Sequence, residues 1–109
     1  MNEKYKEMGA DNNVPYKGAS SKMSATDAVL TERGERYGKF KDVATVTETL
    51  SSVITAFSGT LSDSQKCALY MMCHKMARIA CGDPNYDDNW LDISGYAMLV
   101  HKQLNGENP

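Results

Sequence analysis

Between Phe40 and Phe57 the apolar residues Val43, Val46, Leu50, Val53, Ile54 and Phe57 fall at offsets 0, 3, 7, 10, 11 and 14. That spacing makes one stripe on a helix and cannot make a strand face, where alternate residues share a side. Thr45, Thr47, Glu48, Thr49, Ser51 and Ser52 occupy the remaining positions, so the spacing predicts an amphipathic helix with one face turned to a core. Ser58 and Gly59 stop it. No strand-like alternation and no internal repeat appear elsewhere in the chain. Burial therefore has to be achieved helix on helix, and the expected fold class is all-α, a small bundle of about four helices.

The other three helices follow from their ends. Ser24 followed by Asp27 reads as an N-cap with an acid three residues on. The helix it opens runs to about Arg36, with Gly38 as its stop. Ser62 and Gln65 form a capping-box pattern that opens a third helix ending near Cys81. That helix is apolar over more than half its circumference: Ala68, Leu69, Met71, Met72, Met76, Ile79 and Ala80 share one broad arc that also contains Lys75. Such breadth marks a central helix. A lysine inside it calls for a carboxylate partner. After the break Gly82-Asp83-Pro84, a fourth helix runs from Asp87 to Leu104 and stops at Asn105-Gly106. Its apolar stripe is Trp90, Ile93, Ala97, Val100 and Leu104, with Asp88, Asp92, Gly95, Tyr96 and Leu99 roughly opposite. The third and fourth helices form an antiparallel hairpin at the centre of the domain.

Composition narrows the function classes. The 109 residues allow one helical domain, expected over residues 24–106, after a polar stretch over residues 1–23 that reads as a flexible tail. A formal net charge of −2 without a Lys/Arg block disfavours direct DNA or RNA binding. The chain has no apolar run long enough to span a bilayer and no secretory signal, so a cytoplasmic location is expected, without membrane partners. Cys67, Cys73 and Cys81 lie on one helix too far apart to pair with each other, and reduced thiols are expected. Four helices of this size bury a modest core, which points to a homo-oligomer.

Chemistry concentrates on acids and cations. Glu32 and Glu35 are three apart and Asp88 and Asp92 four apart, so each pair projects from one helix face. Two such pairs facing each other would suit Mg²⁺, which favours carboxylate oxygen and water and bridges to phosphate. Lys75 and Arg78 are placed to neutralise that phosphate, while Tyr37, Trp90 and Tyr96 are candidates for contact with a base. Each part has a plain structural alternative. Glu32 and Glu35 alternate with Arg33 and Arg36 as in a solvated charged face, and Asp87 and Asp88 suit a helix start without any ligand. Cys67, His74 and Cys81 recur every seven residues over four turns and cannot share one zinc ion. No phosphate-cradling glycine loop or nucleophile elbow occurs.

The segments LTERGERYGKF, Leu30 to Phe40, and KMARIACGDPNYDDNWLDISGYAMLV, Lys75 to Val100, resemble a family of small phage and prophage proteins. The shared pattern is approximately E-R-G-x-x-Y-G-x-F, K-x-x-R, G-D-P and D-N-W-x-D-I-x-G-Y-A. That pattern is similar to phage domains associated with nucleotide modification, and more distantly to the all-α nucleoside triphosphate pyrophosphohydrolases of the MazG type. Those enzymes bind Mg²⁺ on an E-x-x-E helix and a second acidic helix, and cleave between the α and β phosphates. Glu32 and Glu35 fit the first element. Asp88 and Asp92 are four apart where the second expects three. The resemblance implies a nucleotide-binding protein with Mg²⁺ held by Glu32, Glu35, Asp88 and Asp92, in which Asp92, Asp88 and Glu35 carry catalysis. The alternative is a non-catalytic oligomeric binder that sequesters a host nucleotide signal or inhibits a host defence protein.

Overall fold

The computed structural model describes residues 24–109; the tail expected over residues 1–23 lies outside them. The described residues form four helices, α1 (Ala25–Tyr37), α2 (Phe40–Ala56), α3 (Asp63–Cys81) and α4 (Asp87–Leu104), with no strand. The fold is a small all-α bundle.

Its helix ends are where the local sequence puts them. Ser24 Oγ accepts from the Asp27 amide at 3.0 Å, satisfying one of the donors a helix start leaves open. Ser62 and Gln65 complete a reciprocal capping box, at 3.1 Å and 2.9 Å. Gly38 ends α1 with φ 95°, a conformation that favours glycine. Tyr86 precedes α4 in extended conformation without a side-chain cap. The turn before it is instead held by Asp83 Oδ1, which accepts from the Asn85 amide at 2.9 Å, and by the Trp90 indole, which donates to the Pro84 carbonyl at 3.0 Å.

Residues Glu32–Pro109 make one compact unit. Within it α3 packs against both α2 and α4, and among the described residues α2 and α4 do not pack on each other. The expected central helix is thus α3. Tyr70 of α3 donates from its hydroxyl to Glu48 of α2 at 2.8 Å, while Lys75 of α3 meets Asp92 of α4 at 2.9 Å. Among the described residues the buried apolar ones are few: Val43, Ala68, Cys73 and Ala77.

Two faces turn out rotated from the expected ones. Thr47, assigned from sequence to the polar side of α2, is buried, and its hydroxyl donates to the Val43 carbonyl one turn back at 2.7 Å. That bond satisfies the hydroxyl, so a polar residue four positions after Val43 can face α3. On α4 the buried residue is Asn89, and Trp90 and Leu104 of the expected stripe are exposed. A helix with apolar residues on two sides leaves its rotation to be decided by its neighbour.

Candidate functional site

The end of α1 and the turn between α3 and α4 touch backbone to backbone. A Cβ on Gly38 would lie 2.6 Å from the Cys81 carbonyl oxygen, and a Cβ on Gly82 would overlap the Tyr37 carbonyl carbon and the Arg36 oxygen. The Asp83 amide donates to the Arg36 carbonyl at 2.9 Å across this junction. The two sequence segments with the densest chemistry therefore meet here.

Side chains from both segments interleave at that junction. The guanidinium carbon of Arg78, from α3, lies 4.1 Å from the centre of the Tyr37 ring. Arg33, one turn before Tyr37 on α1, lies 4.9 Å from the same centre. Tyr37 meets Tyr86 edge to face at 5.8 Å between centroids, and Arg36 sits 4.6 Å above the Tyr86 ring. Each cation lies over an aromatic ring, whose negative face attracts it. Burial pushes the Tyr86 hydroxyl up from its usual pKa against the pull of the Arg36 charge.

The cluster is rich in positive charge. Arg36 pairs with Glu32 at 3.0 Å. Among the described residues Arg33 and Arg78 make no ion pair. Their stacking distances put the two guanidinium carbons no more than about 9 Å apart, a repulsion of about 2 kcal/mol at an effective dielectric of about 20, reduced further where solvent reaches Arg33. One turn before Arg78 on α3, Lys75 is mostly buried and paired with Asp92. His74 beside them has its pKa lowered, by burial first and then by the Arg78 and Lys75 charges.

The sequence-selected residues divide accordingly. Arg78 and Tyr37 come together, and so do Lys75 and Asp92. Trp90 spends its indole N–H on the Pro84 carbonyl and leaves its ring exposed, outside the cluster. Tyr96 lies half-buried on α4, one turn after Asp92. Glu32 faces Arg36, Glu35 and Asp88 are exposed, and among the described residues no three His, Cys, Asp or Glu side chains gather as a metal site would need. Of the four carboxylates expected to share Mg²⁺, Glu32 and Asp92 each pair with a cation. Arg33, Arg36 and Tyr86 were not singled out by sequence. The only trace of them was the i, i+3 and i, i+4 spacing of Arg33, Arg36 and Tyr37 on one helix.

The family model described as Domain of unknown function (DUF6378) matches residues 23–104. The chain belongs to this family. The DUF6378 match takes in all four helices and both segments that build the cluster, so the junction lies inside the family's domain. No curated protein and no solved structure matches the chain.

Proposed function

We propose that this chain is a nucleotide-binding protein that takes the phosphates of its ligand at the Arg33, Arg36 and Arg78 cluster. The observation that carries this reading is the convergence of three guanidiniums on two adjoining tyrosine rings, with Glu32 paired to Arg36 and the Asp88 carboxylate acting on Tyr86. Planar guanidiniums match phosphate oxygens two at a time, and an arriving anion relieves their mutual repulsion. Guanidiniums and tyrosine rings both also suit stacking on a base.

The resemblance to MazG-type pyrophosphohydrolases supports a nucleoside triphosphate as ligand and Mg²⁺ as cofactor. The side-chain arrangement favours the non-catalytic form of the reading. Glu32 and Asp92 already hold ion pairs, and hydrolysis without a protein nucleophile needs a gathered carboxylate set to activate water through the metal. In this reading the protein holds its nucleotide and releases it intact, as a sequestering protein would.

Calorimetric titration with a panel of nucleoside triphosphates and cyclic dinucleotides, with and without Mg²⁺, tests the binding. Arg78→Ala should weaken the bound ligand about tenfold, the worth of one or two charge-assisted hydrogen bonds. Absence of binding to every nucleotide would sink the proposal. Mass spectrometry of the incubated ligand separates the two forms: intact nucleotide supports sequestration, whereas monophosphate and pyrophosphate formed only with Mg²⁺ would restore the hydrolase.

A further inference from the structure

Because α2 and α4 flank α3 without touching each other, the three helices form a single layer, and α3 keeps two uncovered sides. Helical phase assigns the residues to them at about 100° each. One side carries His74, Arg78 and Cys81, and leads to the arginine cluster. The other carries Leu69, Met72, Met76 and Ala80, with no charged residue in that strip between Gln65 and Ala80.

The neighbouring helices extend this second side. The same phase argument, with each helix antiparallel to α3, turns Val53 of α2 and Phe57 at its C-terminal cap the same way, and Trp90, Ala97 and Leu104 of α4. Among the described residues their large apolar side chains are exposed: Phe57 87%, Leu104 72%, Val53 58%, Trp90 56% and Met76 41%. Between α3 and α4 the face dips into an apolar trough of about 300 Å³, lined by Leu69, Met72, Ala97 and Val100 among others.

We propose that a second copy of this chain covers this face, with the two α2–α3–α4 layers packed against each other about a two-fold axis. Size, charge and relief all point to a copy of itself. Helices of 17, 19 and 18 residues are about 25–29 Å long at 1.5 Å per residue. Three of them side by side, 8–10 Å apart, present on the order of 500–800 Å², close to the roughly 800 Å² that each partner contributes to a standard interface. A strip without charge meets its own copy without like-charge repulsion, where a different partner would gain nothing from charge complementarity. The α3 ridge beside a trough is self-complementary, so each ridge enters the other copy's trough. One helical layer also buries too little by itself, as the short roster of buried apolar residues shows, and the stable solution is two layers around one core.

Sedimentation equilibrium of the full chain should give twice 12.0 kDa. Met76→Glu, at the centre of the strip, should return the mass to 12.0 kDa with the far-ultraviolet helical signal retained. Should that variant lose its helices, Phe57→Glu, far more exposed, carries the same expectation. Leu91→Glu, on another side of α4, should leave the dimer intact. A wild-type mass of one or three copies, an unchanged dimer in folded Met76→Glu or Phe57→Glu, or a monomeric Leu91→Glu would each overturn the proposal.

Discussion

Gly38 and Gly82 face each other's helix ends so closely that neither position has room for a side chain. A Cβ on Gly38 would stand 2.6 Å from the Cys81 carbonyl, and one on Gly82 would overlap the Tyr37 backbone. The two glycines have different reasons. Gly38 also needs its positive φ, whereas Gly82 has a negative φ of −118° and its close approach to the Tyr37 backbone is what leaves no room for a Cβ. Together they let the α1 end reach the α3–α4 turn, which is what stacks Arg78 on a tyrosine from another helix.

Gly82→Ala should therefore destabilise the fold by about 1–3 kcal/mol, the usual cost of overpacking against backbone. Gly95, inside α4, has nothing within 4 Å of its added Cβ, so Gly95→Ala should stabilise by about 0.5–1 kcal/mol through helix propensity. Urea denaturation of the two variants measures both signs. Equal effects would mean that the junction yields without cost. A further readout is nucleotide affinity, which Gly82→Ala should lower and Gly95→Ala should not.

Lys75 is 12% exposed and its partner Asp92 35%, so the pair is partly desolvated. Removing one member strands the other. Asp92→Asn should cost about 1–2 kcal/mol, below the 3–5 kcal/mol of a fully buried pair because solvent still reaches the carboxylate. The double variant Lys75→Met with Asp92→Leu should recover most of that loss. Additive losses in the cycle would show that the two charges do not stabilise one another. The same variants bear on catalysis: if Mg²⁺-dependent turnover exists and survives Asp92→Asn, Asp92 has no part in it.

The sequence carried the helices well and the site only in part. Periodicity in α2, the Ser62–Gln65 box and Gly38 are local signals, and each element they mark is where they put it. That Lys75 needs a carboxylate was legible, since it interrupts an apolar arc beside a short turn to an acidic helix, but its choice of Asp92 rather than Asp88 was not. Tyr86 and Arg36 were not, because their partnership depends on how α1 returns to the α3–α4 turn, and no local spacing encodes that. The rotation of α4 was hidden for a different reason. Asn89 stands between Asp88 and Trp90 and reads as a solvent residue until α3 is laid against it.

His74 gives a pH dependence with a definite sign. Its pKa in the folded chain is lowered by burial, helped by the Arg78 and Lys75 charges, so the folded state binds its proton less readily than the unfolded chain. Stability is then at its full value above the unfolded histidine pKa of about 6.5 and falls as pH drops through that value towards the lower folded one. His74→Gln should remove this component and flatten the slope of unfolding free energy between neutral and mildly acidic pH. An unchanged slope would show that His74 does not contribute to it.

Asn89 is 1% exposed, and neither its amide nitrogen nor its amide oxygen has a hydrogen-bond partner among the described residues. Burying an amide without partners costs about 1–3 kcal/mol. Asn89→Leu, alike in branching and free of polar atoms though bulkier, should stabilise the fold by up to about 1 kcal/mol, the relief of the amide exceeding the cost of its larger methyl groups, and Asn89→Asp should destabilise it strongly by burying a charge. Thermal and urea unfolding of both variants provide the check. Destabilisation by Asn89→Leu would mean that the amide finds partners in the folded protein, and those would lie where α4 meets α3, one turn from the Lys75–Asp92 pair. Stabilisation with nucleotide affinity intact would mark Asn89 as a residue the packing merely tolerates, whereas stabilisation with affinity lost would place its amide in the binding site, held there at the expense of stability.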